Sequence, residues 1–181
     1  MKLEEKTIGS EKIYDGKIIH VRRDTVQLPD GRQSMREVVD HSGGVCVAAL
    51  TEDDQLLFVR QFRYPYGEVV VELPAGKIEP GEDPLECGKR ELYEETGATA
   101  KQFESLGTLY PSPGYCGEII HIIGAIGLEF GENHLDDGEF LESFRLPLKK
   151  AVSLVMSGDI VDAKTQIAIL KLALYKGIFM A

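Results

Sequence analysis

The chain has 181 residues, of which 43% are hydrophobic, and a formal net charge of −10. This length and apolar content suit one soluble domain, or one domain with an appendage, and exclude a disordered chain. The negative charge argues against sequence-independent binding to nucleic acid or an anionic membrane, while a bound cation can still reverse the local field for an anionic small substrate.

The opening "MKLEEKTIGS" has no apolar run and reads as no signal peptide. "KIIHVRRDTVQL" (17–28) is β-rich, "PDG" (29–31) signals a turn, and "QSMREVVDH" (33–41) reads as the returning strand. Such a small set of strands buries too little to stand alone, so residues 1–42 are expected to be an arm that packs on the main body or on a second subunit. Gly43 and Gly44 mark the boundary with a domain of residues 43–181. "VCVAAL" (45–50) and "QLLFVRQFR" (55–63) are apolar strands around the turn "TEDD", and "EVVVELPAG" (68–76) is another strand. After the loop "KIEPGEDP", Asp83 is the expected N-cap, Pro84 the first helical residue and Gly97 the stop. Leu85 and Leu92, with Gly88 between them, are expected to form one core-facing stripe. Further strands are expected at 103–112, 118–128 and 139–148, and helices at 148–158 and 162–177. Strands outnumber helices without a regular βαβ alternation, which predicts an α+β fold, a mixed sheet with helices on its faces.

The three cysteines are odd in number and form no C-x-x-C pair, so reduced thiols in a cytoplasmic protein are expected. The four histidines are too scattered to suggest a triad or zinc site. No Gly-x-Ser-x-Gly elbow or Walker loop is present.

The stretch "RELYEETG" (90–97) poses a physical problem. Glu91, Glu94 and Glu95 crowd the negative end of a helix, and their spacings make them repel one another. Arg90 alone is outnumbered by these acids together with Glu82 and Glu86. A divalent cation would offset the charge, and oxygen donors suit Mg²⁺ or Mn²⁺. Gly76, Glu82, Arg90, Glu91, Leu92, Glu94, Glu95 and Gly97 stand at the spacings Gly-x5-Glu-x7-Arg-Glu-U-x-Glu-Glu-x-Gly, where U is a bulky apolar residue. This pattern resembles the Nudix box; its closing apolar position holds the small Ala98.

The resemblance implies a Nudix fold, a mixed β-sheet sandwiched between helices with an N-terminal antiparallel arm, and a metal-dependent hydrolase of nucleoside diphosphates. Carried over, Glu91, Glu95 and the carbonyl of Ala75 would bind the metal. Glu94 and Arg90 would complete the catalytic set, with Arg90 and Glu82 holding the loop and orienting the acids. "VRQFRYP" (59–65), "ELPAG" (72–76), "REVVDH" (36–41), "DAKT" (162–165) and Pro113 in "YPSPGYCGE" resemble the ADP-ribose pyrophosphatase branch. That branch implies cleavage of ADP-ribose to AMP and ribose 5-phosphate by a homodimer with swapped N-terminal strands. It implies Arg36 and Glu37 on the adenine and ribose side, Arg63 on the diphosphate, and Pro113 and Glu118 in the substrate site. Lys17 and Ile18 stand where the branch often has an aromatic residue to stack on adenine. Another nucleotide sugar, such as ADP-glucose or GDP-mannose, is the alternative substrate. A catalytically silent nucleotide-sugar sensor is the alternative role. With the box acids engaged as ligands, a separate carboxylate is needed to deprotonate the attacking water. In the branch that carboxylate comes from a loop after the box, and "GEF" before a strand resembles its setting, so in the acidic segment 131–140 the resemblance implies Glu139 as the base, with Asp137 second.

Overall fold

The computed structural model describes residues 3–132, 134, 135, 138 and 140–177. The chain forms two compact units, Met1–Gly43 with Tyr110–Ile119, and Gly44–Leu109 with Ile120–Ala181.

In the first unit, strands β1 (Lys6–Asp15), β2 (His20–Gln27) and β3 (Gln33–Asp40) form an antiparallel sheet in the order β1-β2-β3. The turn after β2 places Gly31 at φ 88°, a conformation glycine adopts without strain. Every residue of β1 is exposed, so the strand has no hydrophobic alternation to betray it in the sequence. The segment 110–119 runs beside β3, where Val39 N–H donates to Tyr115 O (2.8 Å) and Gly117 N–H donates to Val39 O (2.9 Å).

The second unit holds the mixed sheet. Strands β4 (Gly44–Leu50), β5 (Gln55–Arg63), β6 (Glu68–Glu72), β7 (Ala75–Lys77), β8 (Ala98–Leu109), β9 (Ile120–Phe130) and β10 (Leu141–Pro147) are joined by helices α1 (Pro84–Thr96), α2 (Leu148–Ser157) and α3 (Ala163–Tyr175). The order is β10-β5-β4-β9-β8, with β6 on β5 and β7 on β4. β4 and β9 are parallel, and the other pairs are antiparallel. All seven residues of β4 are buried, as a strand covered on both faces requires. Val47 and Ala49 pack with Leu92 of α1, whereas Cys46, Ala48 and Leu50 pack with Val152 of α2 and Ile169 of α3. The sheet is thus sandwiched between helices, as expected.

The ends of α1 are as the sequence predicts. Asp83 Oδ1 accepts from Leu85 N–H at 2.8 Å, Pro84 opens the helix, and Gly97 closes it at φ 68°. The expected stripe is different. Leu92 is fully buried, but Leu85 is 38% exposed, and Cys87, Gly88 and Glu95 complete the buried face instead. An added Cβ on Gly88 would lie 2.7 Å from Ile123 Cδ1, so close approach to the sheet fixes which face turns inward. β8 also begins at Ala98, directly after the helix and before the expected start at 103. Ala98 and Ala100 carry its inward alternation with side chains too small to register as a strand signal. Among the described residues, no helix is long and apolar enough to cross a membrane.

Leu92→Ala should lower unfolding free energy by about 2–5 kcal/mol, the usual cost of a core truncation. Leu85→Ala should cost less than about 1 kcal/mol, as at a partly exposed position. Urea unfolding measures both, and equal costs would contradict this orientation of α1.

Candidate active site

The site is built where the strand–loop–helix segment from Glu72 to Gly97 folds back on itself. Glu82 N–H donates to Glu79 O at 3.0 Å, and Glu79 N–H donates to Glu82 Oε2 at 2.9 Å. This closes the loop and presents the Glu82 carboxylate to α1. Arg90 grips it with Nε on Oε1 (2.9 Å) and Nη2 on Oε2 (3.0 Å). The Arg90 fork holds the Glu82 carboxyl down to about 2, and the backbone N–H of Glu79 adds to the effect. The stabilisation from this pair is therefore present above the ordinary carboxylate value of 4.5 and is lost as pH falls toward about 2.

The remaining edge of Arg90 answers the charge problem of the helix. Nη1 donates to Glu91 Oε1 at 2.7 Å and to Glu94 Oε2 at 2.9 Å. One guanidinium thus bridges the loop acid and two helix acids, and Glu82 and its neighbours raise the Arg90 pKa further above its usual value. Glu95 takes a separate partner. It is only 2% exposed, and its Oε2 accepts from Ala75 N–H at 3.0 Å. Glu91 lies against the adjacent residue. A Cβ on Gly76 would fall 1.9 Å from its carboxyl carbon, so only glycine admits this packing. The backbone that receives both acids is rigid. Ala75, Gly76 and Lys77 pair with Cys46, Val45 and Gly44, and Val47 N–H donates to Pro74 O at 2.8 Å.

Glu91 and Glu95 therefore flank the Ala75–Gly76 backbone, a donor set made of oxygen alone. Among the described residues, no group of three or more His, Cys, Asp or Glu side chains forms a ready cage for an ion. Mg²⁺ needs none, because it keeps several waters and takes only one or two carboxylates. The expected ligand residues Glu91, Glu95 and Ala75 thus lie together, and oxygen donors are the kind such an ion takes.

A second cluster lies in the same unit. Arg63 donates from Nε to Glu72 Oε1 (2.5 Å) and from Nη2 to Oε2 (2.7 Å). Lys164 Nζ also bonds Glu72 Oε2, and reaches Asp162 Oδ1 at 3.0 Å. Burial pulls the Glu72 carboxyl upward, but the bonds from Arg63 and Lys164 outweigh it and hold it below the usual range. Thr165, fully buried, accepts from Leu73 N–H at 2.9 Å. The sequence marks "VRQFRYP", "ELPAG" and "DAKT" as separate motifs; the fold joins them, across 92 residues between Glu72 and Lys164. No local spacing carries that signal, although two acids and two bases in otherwise apolar surroundings invite a search for partners.

The other expected residues sit in the first unit. Arg36 pairs with Glu5 (3.0 and 2.6 Å), and Glu37 is exposed opposite Arg23. Pro113 is exposed within a turn closed by Cys116 N–H on Ser112 O at 3.0 Å. Glu118 is half-buried, 3.5 Å from His41 Nδ1, which itself accepts from Gly43 N–H. Glu139 and Asp137 lie outside the described residues. His134, which is described, meets α1: its N–H donates to Glu94 O at 3.0 Å and its ring meets Tyr93. Cys87 is packing, not a nucleophile: burial, and then Glu82, push its thiol up to about 12.

The spacing of these acids on a loop and helix has a counterpart among known proteins. Residues 40–165 match the NUDIX domain. The chain belongs to the Nudix family. It is a Nudix hydrolase, and residues 5–39 match the nucleoside diphosphate sugar hydrolase N-terminal domain. An ADP-ribose pyrophosphatase of Bacillus subtilis (strain 168) is 45% identical over 169 residues, covering 92% of this chain and 91% of that protein. A methanol dehydrogenase activator of Bacillus methanolicus is 42% identical, with 97% and 96% covered. The crystal structure of an ADP compounds hydrolase shares the fold at a TM-score of 0.84 and 22% identity, covering 99% of this chain and 100% of that one.

Gly76→Ala tests the packing of Glu91. The new methyl group strikes the end of a flexible side chain, so the fold should persist within about 1 kcal/mol. Turnover should fall about a hundredfold, the effect of displacing a reacting group by roughly 1 Å. Thermal melting and steady-state assays measure the two, and undiminished turnover would contradict the placement of Glu91.

Proposed function

We propose that this Nudix hydrolase cleaves the diphosphate bond of ADP-ribose, yielding AMP and ribose 5-phosphate. The observation that carries this reading is the paired placement of Glu91 and Glu95 on the Ala75–Gly76 backbone. Likeness to a named ADP-ribose pyrophosphatase along nearly the whole chain supplies the substrate.

Each side chain has a task in this reading. Arg90 holds Glu91 and Glu94 in place and keeps them from repelling one another. The Ala75 N–H fixes Glu95, so Glu91, Glu95 and Ala75 O would hold Mg²⁺ or Mn²⁺. Such an ion supplies charge neutralisation on the diphosphate and a more acidic attacking water. Arg63 meets the diphosphate with the Nη1 edge that lies outside its fork on Glu72, a planar donor suited to phosphate oxygens. Glu139 accepts the proton of the attacking water. Arg36, Glu37, Pro113 and Glu118 bind the adenosine and ribose ends.

The arm supports a homodimer with exchanged N-terminal strands. Ile8, Ile13 and Met35 are 51%, 52% and 65% exposed in the single chain, an apolar surface that pairing with a second copy would cover. A cytoplasmic setting agrees with the free thiols of Cys46, Cys87 and Cys116.

The test is a panel of ADP-ribose, ADP-glucose and GDP-mannose assayed with Mg²⁺ or EDTA, with products separated by chromatography. ADP-ribose should give the highest kcat/KM, AMP should appear, and EDTA should abolish turnover. A preference for GDP-mannose, or no turnover at all, would overturn the reading.

A further inference from the structure

The Arg63–Glu72–Lys164 cluster has more charge than anchoring an arginine requires. Arg63 is 40% exposed at its side chain, whereas Glu72 is 2% exposed and Lys164 is 13% exposed. A lone arginine forked on a buried carboxylate makes a neutral pair, with its charge spent on its partner. Here the Glu72 carboxylate is divided, because Lys164 bonds the same Oε2 that takes Arg63 Nη2. Lys164 is held for this task from below: Asp162 accepts from it through Oδ1 and caps the α3 N-terminus through Oδ2 to Thr165 N–H at 3.0 Å. Asp162 lies at the positive end of a helix, which offsets part of its charge and leaves Lys164 to act on Glu72.

The same helical turn grips the backbone. Thr165 Oγ1 accepts from Leu73 N–H, and two residues further Ala75 N–H meets Glu95. A path of bonds thus runs from the first turn of α3 through residues 73–75 to Glu95 of α1.

We propose that Lys164 is a positioning residue for the substrate diphosphate: by sharing Glu72 with Arg63 it keeps the Arg63 guanidinium electropositive and aimed by its fork. This rests on the reading of Arg63 as a diphosphate contact. Without the Lys164 charge, Glu72 draws the whole of the Arg63 charge, and the guanidinium attracts phosphate less strongly. The acids of α1 keep their own partners, so the chemical step is spared. The effect belongs in binding.

The experiment uses the full chain, with Lys164→Gln and the double variant Glu72→Gln/Lys164→Gln. Steady-state kinetics are measured on the nucleotide sugar that the wild type turns over best, together with calorimetric titration of inorganic pyrophosphate. In Lys164→Gln, KM and the pyrophosphate Kd should rise about tenfold, with kcat within about threefold of wild type. In the double variant no buried carboxylate is left under-compensated, so KM should fall at least roughly threefold below that of the single variant. If Lys164→Gln does not fold, Lys164→Arg, which keeps a positive charge on Glu72, is compared with the double variant: a lower KM and pyrophosphate Kd in Lys164→Arg support the inference, and equal values overturn it. A lowered melting temperature with unchanged KM and Kd would mark Lys164 as a structural ion pair and overturn it. So would a double variant as impaired as the single one. Wild-type protein that hydrolyses no nucleotide sugar is a different result: it refutes the proposed function, and the pyrophosphate titration still decides the role of Lys164.

Discussion

The guanidinium of Arg90 is the constraint on which the site depends. It spans from the Glu82 carboxylate on the loop to Glu91 and Glu94 on the helix. Without it, three acids within one helical turn and a fourth on the loop would repel, at a cost of a few tenths of a kcal/mol per pair on an exposed helix and more where water is scarce. With it, the loop is closed, the helix is tied to the loop, and the repulsion becomes a directed array. The arginine does not neutralise the array, and the excess of oxygen donors is the feature on which the proposed cation site rests.

The rest of the sheet serves to hold one short piece of backbone still. Residues 73–77 receive a hydrogen bond network from every side: Thr165 beneath Leu73, Val47 on Pro74, Glu95 on Ala75, and the β4 ladder along Ala75–Lys77. β4 is buried on both faces, so this ladder has little freedom to move. Leu92 locks α1 onto the same strand. Fold and site are therefore one construction, in which the most buried strand carries the backbone that receives the box acids.

The parts of this arrangement that were legible in the sequence are those governed by neighbours in the chain. Asp83, Pro84 and Gly97 announce the ends of α1 because caps act within a few residues. The box spacing announces the acids because one helix carries them. Where long-range packing decides, the sequence is silent or misleading. Leu85 has the right period for the core stripe and still faces outward, because Gly88 sets the close approach to the sheet. β1 is exposed along its length and has no alternation to detect, and the start of β8 is carried by alanines. Lys164 and Glu72 meet only through the tertiary fold.

The claim that the box acids form a cation site at the Ala75–Gly76 backbone is tested most directly by binding and not by turnover. Mn²⁺ titrated into wild-type protein and into Glu95→Gln, with free Mn²⁺ followed by electron paramagnetic resonance, separates the two. Wild-type protein should bind the ion, and Glu95→Gln should bind it at least about tenfold more weakly at an unchanged melting temperature. Equal affinity in the two proteins would contradict the role assigned to Glu95.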